Sequence, residues 1–187
     1  MMNTTSRVIV GGGLGFWLLA LPSLAQQGAP PLPKPGPEHE VLKQDVGTWD
    51  ATVEMMEPGK PPAVSKGVET VSLIEGGLWT VTDFKSTMMG APFHGHGTNG
   101  FDPAKKRYVF TWIDSMSTGL ALGEATYDPG TKTMKGWMEG PDLTGKTMKM
   151  NETTEWKDPD TRVFTMSVPG PGGKDVPTMR ISYKRRK

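Results

Sequence analysis

Two histidines lie two residues apart in the run Phe93-His94-Gly95-His96-Gly97, with Met88 and Met89 just upstream. On a strand, His94 and His96 project from one face, which suits a divalent metal, and nearby thioether sulfur adds a preference for Cu(I). The competing expectation is a pair of polar rings at a surface or barrel mouth, since spacing supplies no third ligand. Asp114 and Ser115 raise Ser-His-Asp chemistry, but neighbours on a strand point to opposite faces and no Gly-x-Ser-x-Gly elbow occurs. Trp112-x-Asp114-Ser115 at a strand end predicts instead that loop amides donate to the Asp and Ser oxygens. Glu124 shares a strand face with Leu120 and Leu122, and Glu152 with Met148 and Met150. Facing inward, such carboxylates orient a ligand's polar head; facing outward, they are solvated.

Thirteen methionines are many for 187 residues, and eleven of them follow residue 25. Met148 and Met150 share one face, as do Met134 and Met138. Thioether side chains repack around varied apolar ligands, and the same chains fill ordinary cores. The chain has no cysteine, which excludes a thiol nucleophile, a thiolate zinc site and an iron–sulfur cluster. No cofactor motif occurs, and no cofactor is expected.

The first 25 residues have the form of a secretory signal peptide. Arg7 precedes an apolar stretch from Val8 to Leu21, and Pro22-Ser23-Leu24-Ala25 offers a small-residue cleavage site. The stretch is shorter than the roughly 18–20 residues that cross a bilayer, so cleavage with no stable membrane span afterwards is expected, a retained N-terminal anchor being the alternative. The absence of cysteine also excludes a lipid anchor, and a periplasmic or secreted location follows. Cleavage leaves 162 of the 187 residues, a normal single domain. One of the 21 Lys and Arg leaves with the signal, so 20 basic residues balance 20 acidic ones. That near-neutral chain lacks the basic stripe that nucleic-acid binding requires, and Lys184-Arg185-Arg186-Lys187 reads as a solvated terminus.

Residues 26–37 form a Pro/Gly-rich linker, and 38–187 a single domain. A short helix over Glu38 to Val46 ends at Gly47. From Trp49 onward, strands are expected at 49–56, 63–74, 78–86, 93–101, 107–114, 120–127, 133–140, 147–156, 162–168 and 176–185. In the first, Trp49, Ala51, Val53 and Met55 alternate with polar residues; in the last, Met179, Ile181 and Tyr183 do so. Asp102-Pro103, Asp128-Pro129 and Asp158-Pro159 are similar turn starters. In an up-and-down meander they gather at the end where the first strand begins. Longer loops at 57–62, 86–92, 115–119, 141–146 and 169–175 gather at the other. Ten such strands leave two exposed edges unless the sheet closes. The expected fold is therefore all-β: an antiparallel up-and-down barrel of about ten strands with a short N-terminal helix, a β-sandwich being the alternative.

A helix followed by Gly47-Thr48-Trp49 resembles the opening of lipocalin and calycin barrels. That resemblance implies that Trp49 plugs the closed end and packs against an Arg of the last strand. Arg185, on the face of Met179, Ile181 and Tyr183, is the expected cation–π partner. Gly97-x-x-Gly100-Phe101-Asp102, Tyr108, Trp112-x-Asp114-Ser115, Thr118-Gly119, Gly123, Tyr127-Asp128 and Gly136 are similar to a bacterial family known as a domain of unknown function, DUF1579. The resemblance spans roughly residues 36–187 and implies a lipocalin-like barrel, often exported, with structural roles for Gly100, Asp102 and Asp114. It brings no catalytic residues.

The leading expectation is a non-enzymatic binding module holding a small apolar or amphipathic molecule. Entry is through the looser end, and Met55, Phe110, Trp112, Leu122, Met148 and Met150 line the interior. The alternatives are an enzyme or metal-handling protein centred on His94 and His96, and a filled structural barrel without a ligand.

Overall fold

The computed structural model describes residues 31–142 and 144–187. The signal-like segment 1–25 lies outside the described residues. Pro33–Lys187 form one compact unit. Its helix α1 (Pro37–Lys43) starts with Pro37 at its first position, where the missing amide costs nothing, and is shorter than expected.

The strands are β1 (Gly47–Met55), β2 (Ala63–Leu73), β3 (Trp79–Met88), β4 (Ala91–Asp102) and β5 (Arg107–Asp114). They continue with β6 (Ala121–Asp128), β7 (Thr133–Pro141), β8 (Thr147–Asp158), β9 (Thr161–Pro169) and β10 (Asp175–Arg185). Each pairs antiparallel with its sequence neighbour, and β1 pairs with β10 to close a ten-strand barrel. Closure leaves no sheet edge. The alternation in β1 and β10 positions the core: Trp49, Ala51 and Val53 pack with Phe84, Phe93, Ile181 and Tyr183.

The two ends differ in construction. At the end where β1 begins, the Asp-Pro turns are held by their own carboxylates. Asp102 Oδ1 accepts from the amides of Ala104 (2.9 Å) and Lys105 (3.1 Å), Asp128 from Gly130 (2.9 Å), and Asp158 from Asp160 (2.8 Å). Helix α1 caps this end, with Leu42 packed against Tyr108 and Ala125, and the Tyr108 hydroxyl donating to the Glu38 carbonyl at 3.1 Å. Among the described residues, no helix is long and apolar enough to cross a membrane.

The opposite end carries connections at 56–62, 115–120, 142–146 and 170–174. The expected loop at 86–92 is not one of them. Strands β3 and β4 run on to a two-residue turn at Met89-Gly90, with φ of 51° and 79°. A turn with both central φ positive matches the twist of the flanking strands. Gly90 adopts it freely, whereas Met89 holds a left-handed conformation that disfavours a Cβ.

Candidate functional site

The barrel interior is hollow. A cavity of about 480 Å³ runs from Asp45, Glu69 and Arg162 at the capped end to Met116, Ser117, Gly119 and Asp142 at the other. Ten of the eleven methionines after residue 25 line it, Met56 being the exception, so the methionine content belongs to this wall rather than to the core at large. Phe84, Phe93, Phe110, Trp112, Trp156 and Phe164 add aromatic surface.

Small residues make the hollow. The inward positions of β4 include Gly95 and Gly97, and those of β6 are Ala121, Gly123 and Ala125. The Trp112 ring lies over Gly95 and the Phe110 ring over Gly123, where a Cβ would overlap them. On the outer wall, Trp79 covers Gly100 in the same way.

Met55, Phe110, Trp112, Met148 and Met150 line the cavity, Met148 being 36% exposed. Leu122 requires correction. It is 51% exposed on the outer wall, because the inward parity of β6 belongs to the alanines and glycine beside it. Glu124 shares the outer face and pairs with Lys105 at 2.7 Å. Glu152 faces the cavity, between Gly136 of β7 and Met166 of β9. Burial alone pushes its carboxyl up to about 8.

The floor is a charged plug. Arg162 pairs with Glu69, and its guanidinium approaches Asp45 at 3.3 Å. The same guanidinium lies 4.7 Å from the Trp49 ring centre and 4.2 Å from that of Tyr183. The ring nitrogen of Trp49 donates to the Asp45 carbonyl (2.8 Å), and that of Trp156 to its carboxylate (3.0 Å). Burial pushes the Glu69 carboxyl upward against the pull of Arg162. Burial opposes the charge of Arg162, but Asp45 and Glu69 outweigh it and hold the guanidinium above its ordinary value. Arg185 stacks on Trp49 at 4.1 Å and donates to the carbonyls of Val46 (2.6 Å) and Gln44 (2.7 Å), clamping the connection into β1. Gly47 gives the guanidinium passage, since a Cβ there would sit 2.7 Å from it.

Arg162, Glu69 and Asp45 were not singled out from the sequence. Arg162 shares parity with Phe164, Met166 and Val168, and a charge on an apolar face was the available signal. Its partner Glu69 lies 93 positions away, beyond the reach of any local pattern.

At the looser end, Asp114 Oδ1 accepts from the Met116 amide (2.8 Å) and Oδ2 from the Trp112 ring nitrogen (3.0 Å). Ser115 Oγ accepts from the His94 amide at 3.1 Å. Asp114 and Ser115 thus fix a loop and the indole beneath it, and form no hydrolytic triad.

His94 and His96 project from the outer wall, away from the cavity, because Gly95 between them and Gly97 after them take the inward parity. Asp83 of β3 joins them: His94 Nε2 lies 2.8 Å and His96 Nδ1 3.5 Å from its Oδ2, and the two rings are 4.4 Å apart. The hydrogen bond from His94 holds the Asp83 carboxyl below its usual range. The three present one ligand atom each within 4.8 Å of one another, a spacing that one ion can bridge.

A closed, hollow up-and-down barrel with a plugged floor and a methionine-lined lumen defines a lipocalin-like class of protein. Within it, the chain belongs to the family described as "Protein of unknown function (DUF1579)", matched over residues 34–185. No curated protein matches the chain in sequence. Its fold is similar to that of Rv2717c from M. tuberculosis, with a TM-score of 0.62 and 12% identity over 81% of this chain and 99% of that one. It is also similar to the S-type phycobiliprotein lyase CPES from Guillardia theta, with a TM-score of 0.55 and 14% identity over 80% and 93% of the two chains. At these identities the likeness is one of fold.

Proposed function

We propose that this protein is a binding module that holds one small apolar or amphipathic molecule inside the barrel, outside the cytoplasm. The cavity carries the proposal. Its volume of about 480 Å³ falls within the roughly 300–1,000 Å³ of small-molecule sites. Its wall combines flexible thioethers with a few polar groups, a combination that accommodates apolar surface and orients one end of it. The floor is blocked by Trp49 and the Arg162 cluster, so entry is assigned to the end bearing 115–120 and 142–146. Export rests on the signal-like residues 1–25 and is checked by fractionating cells that express the full chain.

The binding role is tested with a neutral apolar fluorophore excited by energy transfer from tryptophan, Trp112 being on the wall. Met138→Trp, which adds bulk at a position only 8% exposed on that wall, is expected to weaken binding about tenfold, with circular dichroism checking that the barrel stays folded despite the added volume. Failure of every apolar probe to bind the parent protein would sink the proposal. Native mass spectrometry of protein purified without denaturation then gives the mass of any resident molecule.

A second, separate reading is favoured by the convergence of Asp83 on His94 and His96: a divalent-metal site on the outer wall. Two imidazoles and a carboxylate suit Zn(II) or Cu(II). Calorimetry with either metal should show one site that disappears in the double variant His94→Ala, His96→Ala; unchanged binding in that variant would refute it.

A further inference from the structure

The charged side chains on the cavity wall are Asp45, Glu69, Asp114, Asp142, Glu152 and Arg162. Five are acids and one is a cation. That single cation is already engaged by Glu69 and Asp45 and packed against two rings. Its Nε is buried without a hydrogen-bond partner. On the outer wall, Lys105 pairs with Glu124 and Lys149 stacks on Trp137 at 4.0 Å. Among the described residues that line the cavity, a carboxylate or phosphate head meets no cation other than the engaged Arg162.

Glu152 is the complement of that deficit. It projects into the cavity from β8 and has no hydrogen-bond or ion-pair partner among the described residues. A buried carboxyl left without a partner is costly, and a ligand donor or cation relieves the cost. The same cavity wall carries Phe110, Trp112 and Phe164, aromatic side chains of the kind that attract positive charge.

We propose that the cavity selects cationic amphiphiles, an apolar body bearing an amine or quaternary ammonium, and that Glu152 receives the cationic head. This rests on the binding role proposed above and names its ligand class.

The site is also coupled to protons. In the free protein, burial keeps the Glu152 carboxyl protonated up to about pH 8. A bound cation favours the ionised form, so binding releases a proton and tightens as pH rises toward 8. The groups facing Glu152 are few. Strand β7 presents Met134, Gly136 and Met138, and β9 presents Arg162, Phe164 and Met166. The remaining wall carboxyls are Glu69, Asp45, Asp114 and Asp142. Removing Glu152 alone separates its contribution from theirs.

The test uses protein purified after expression of the full chain, with three twelve-carbon probes at sub-micellar concentration: dodecyltrimethylammonium, dodecanoate and dodecanol. The quaternary ammonium carries no titrating proton, so any pH dependence belongs to the protein. By calorimetry it is expected to bind about tenfold more tightly than dodecanoate at pH 8, and its affinity should fall about tenfold between pH 8 and pH 6. Glu152→Gln should bring the cation-to-anion ratio within about twofold and flatten the pH dependence, with an unchanged circular-dichroism spectrum as evidence that the barrel is intact. Dodecanoate binding as tightly as the cation overturns this inference and leaves the binding role standing, as does a ratio unchanged by Glu152→Gln. If none of the three binds, the binding role itself fails, and the inference fails with it.

Discussion

At the floor of the barrel, Arg162 is held by two carboxylates and two aromatic rings, Arg185 clamps two carbonyls, and the turns around them are tied by their own Asp side chains. At the mouth, Met89, Met116 and Met148 line the opening, and Met89 sits in a disfavoured backbone conformation. The floor satisfies nearly every polar group it buries, and so specifies one arrangement. The mouth presents thioether surface that many arrangements satisfy about equally. One end gives the fold its uniqueness; the other leaves room for something else to decide the packing.

Breaking the floor should have the largest consequence. Arg162→Met strands Glu69 in a buried site and is expected to cost about 3–5 kcal/mol in urea unfolding, while Glu69→Met added to it should recover much of the loss. A cost below about 1 kcal/mol for the single variant would show that the plug is not what anchors the fold.

Between floor and mouth lies Glu152. Its folded carboxyl titrates near 8 and its unfolded one near 4.5, so the folded state binds the extra proton in between and loses stability as pH rises across that window. Glu152→Gln should therefore stabilise the free protein by up to about 4 kcal/mol at pH 8 and leave it nearly unchanged at pH 4. Equal effects at both pH values would mean that the side chain is solvated and the cavity wetter than its lining implies.

The smallest effect is expected at the mouth. Met89→Gly relieves a left-handed φ on a residue that is 70% exposed and should gain less than about 1 kcal/mol. If it loses stability instead, Met89 contributes contacts that the floor-and-mouth contrast does not credit.

The strand positions were readable to within two residues, because Val, Thr and aromatic runs are separated by Asp-Pro and Gly turns whose chemistry acts locally. The number of strands was readable for the same reason, and closure was favoured only because an open sheet would leave two exposed edges. Facing was harder. In β1 and β10 the apolar side chains point inward, and parity reads correctly. In β6 the inward residues are Ala121, Gly123 and Ala125, small because Phe110 and its neighbours occupy the space, so the larger Leu122 marks the outside. Gly95 and Gly97, alternating with His94 and His96, invert the same rule in β4. Local pattern also said nothing of Glu69, Arg162 and Asp45, whose meeting depends on the barrel having closed. Met89-Gly90 looked like part of a long loop because methionine is a rare choice for a turn with positive φ.

The seam between β1 and β10 has a kinetic corollary. It joins Asp50 to Arg186, 136 positions apart, and the plug residues reach across it. Closing so long a loop is slow, and no part of it can begin before the last strand has been synthesised. The barrel therefore stays open at least until β10 has been made. Any machinery that acts only on unfolded polypeptide has that whole interval in which to engage it.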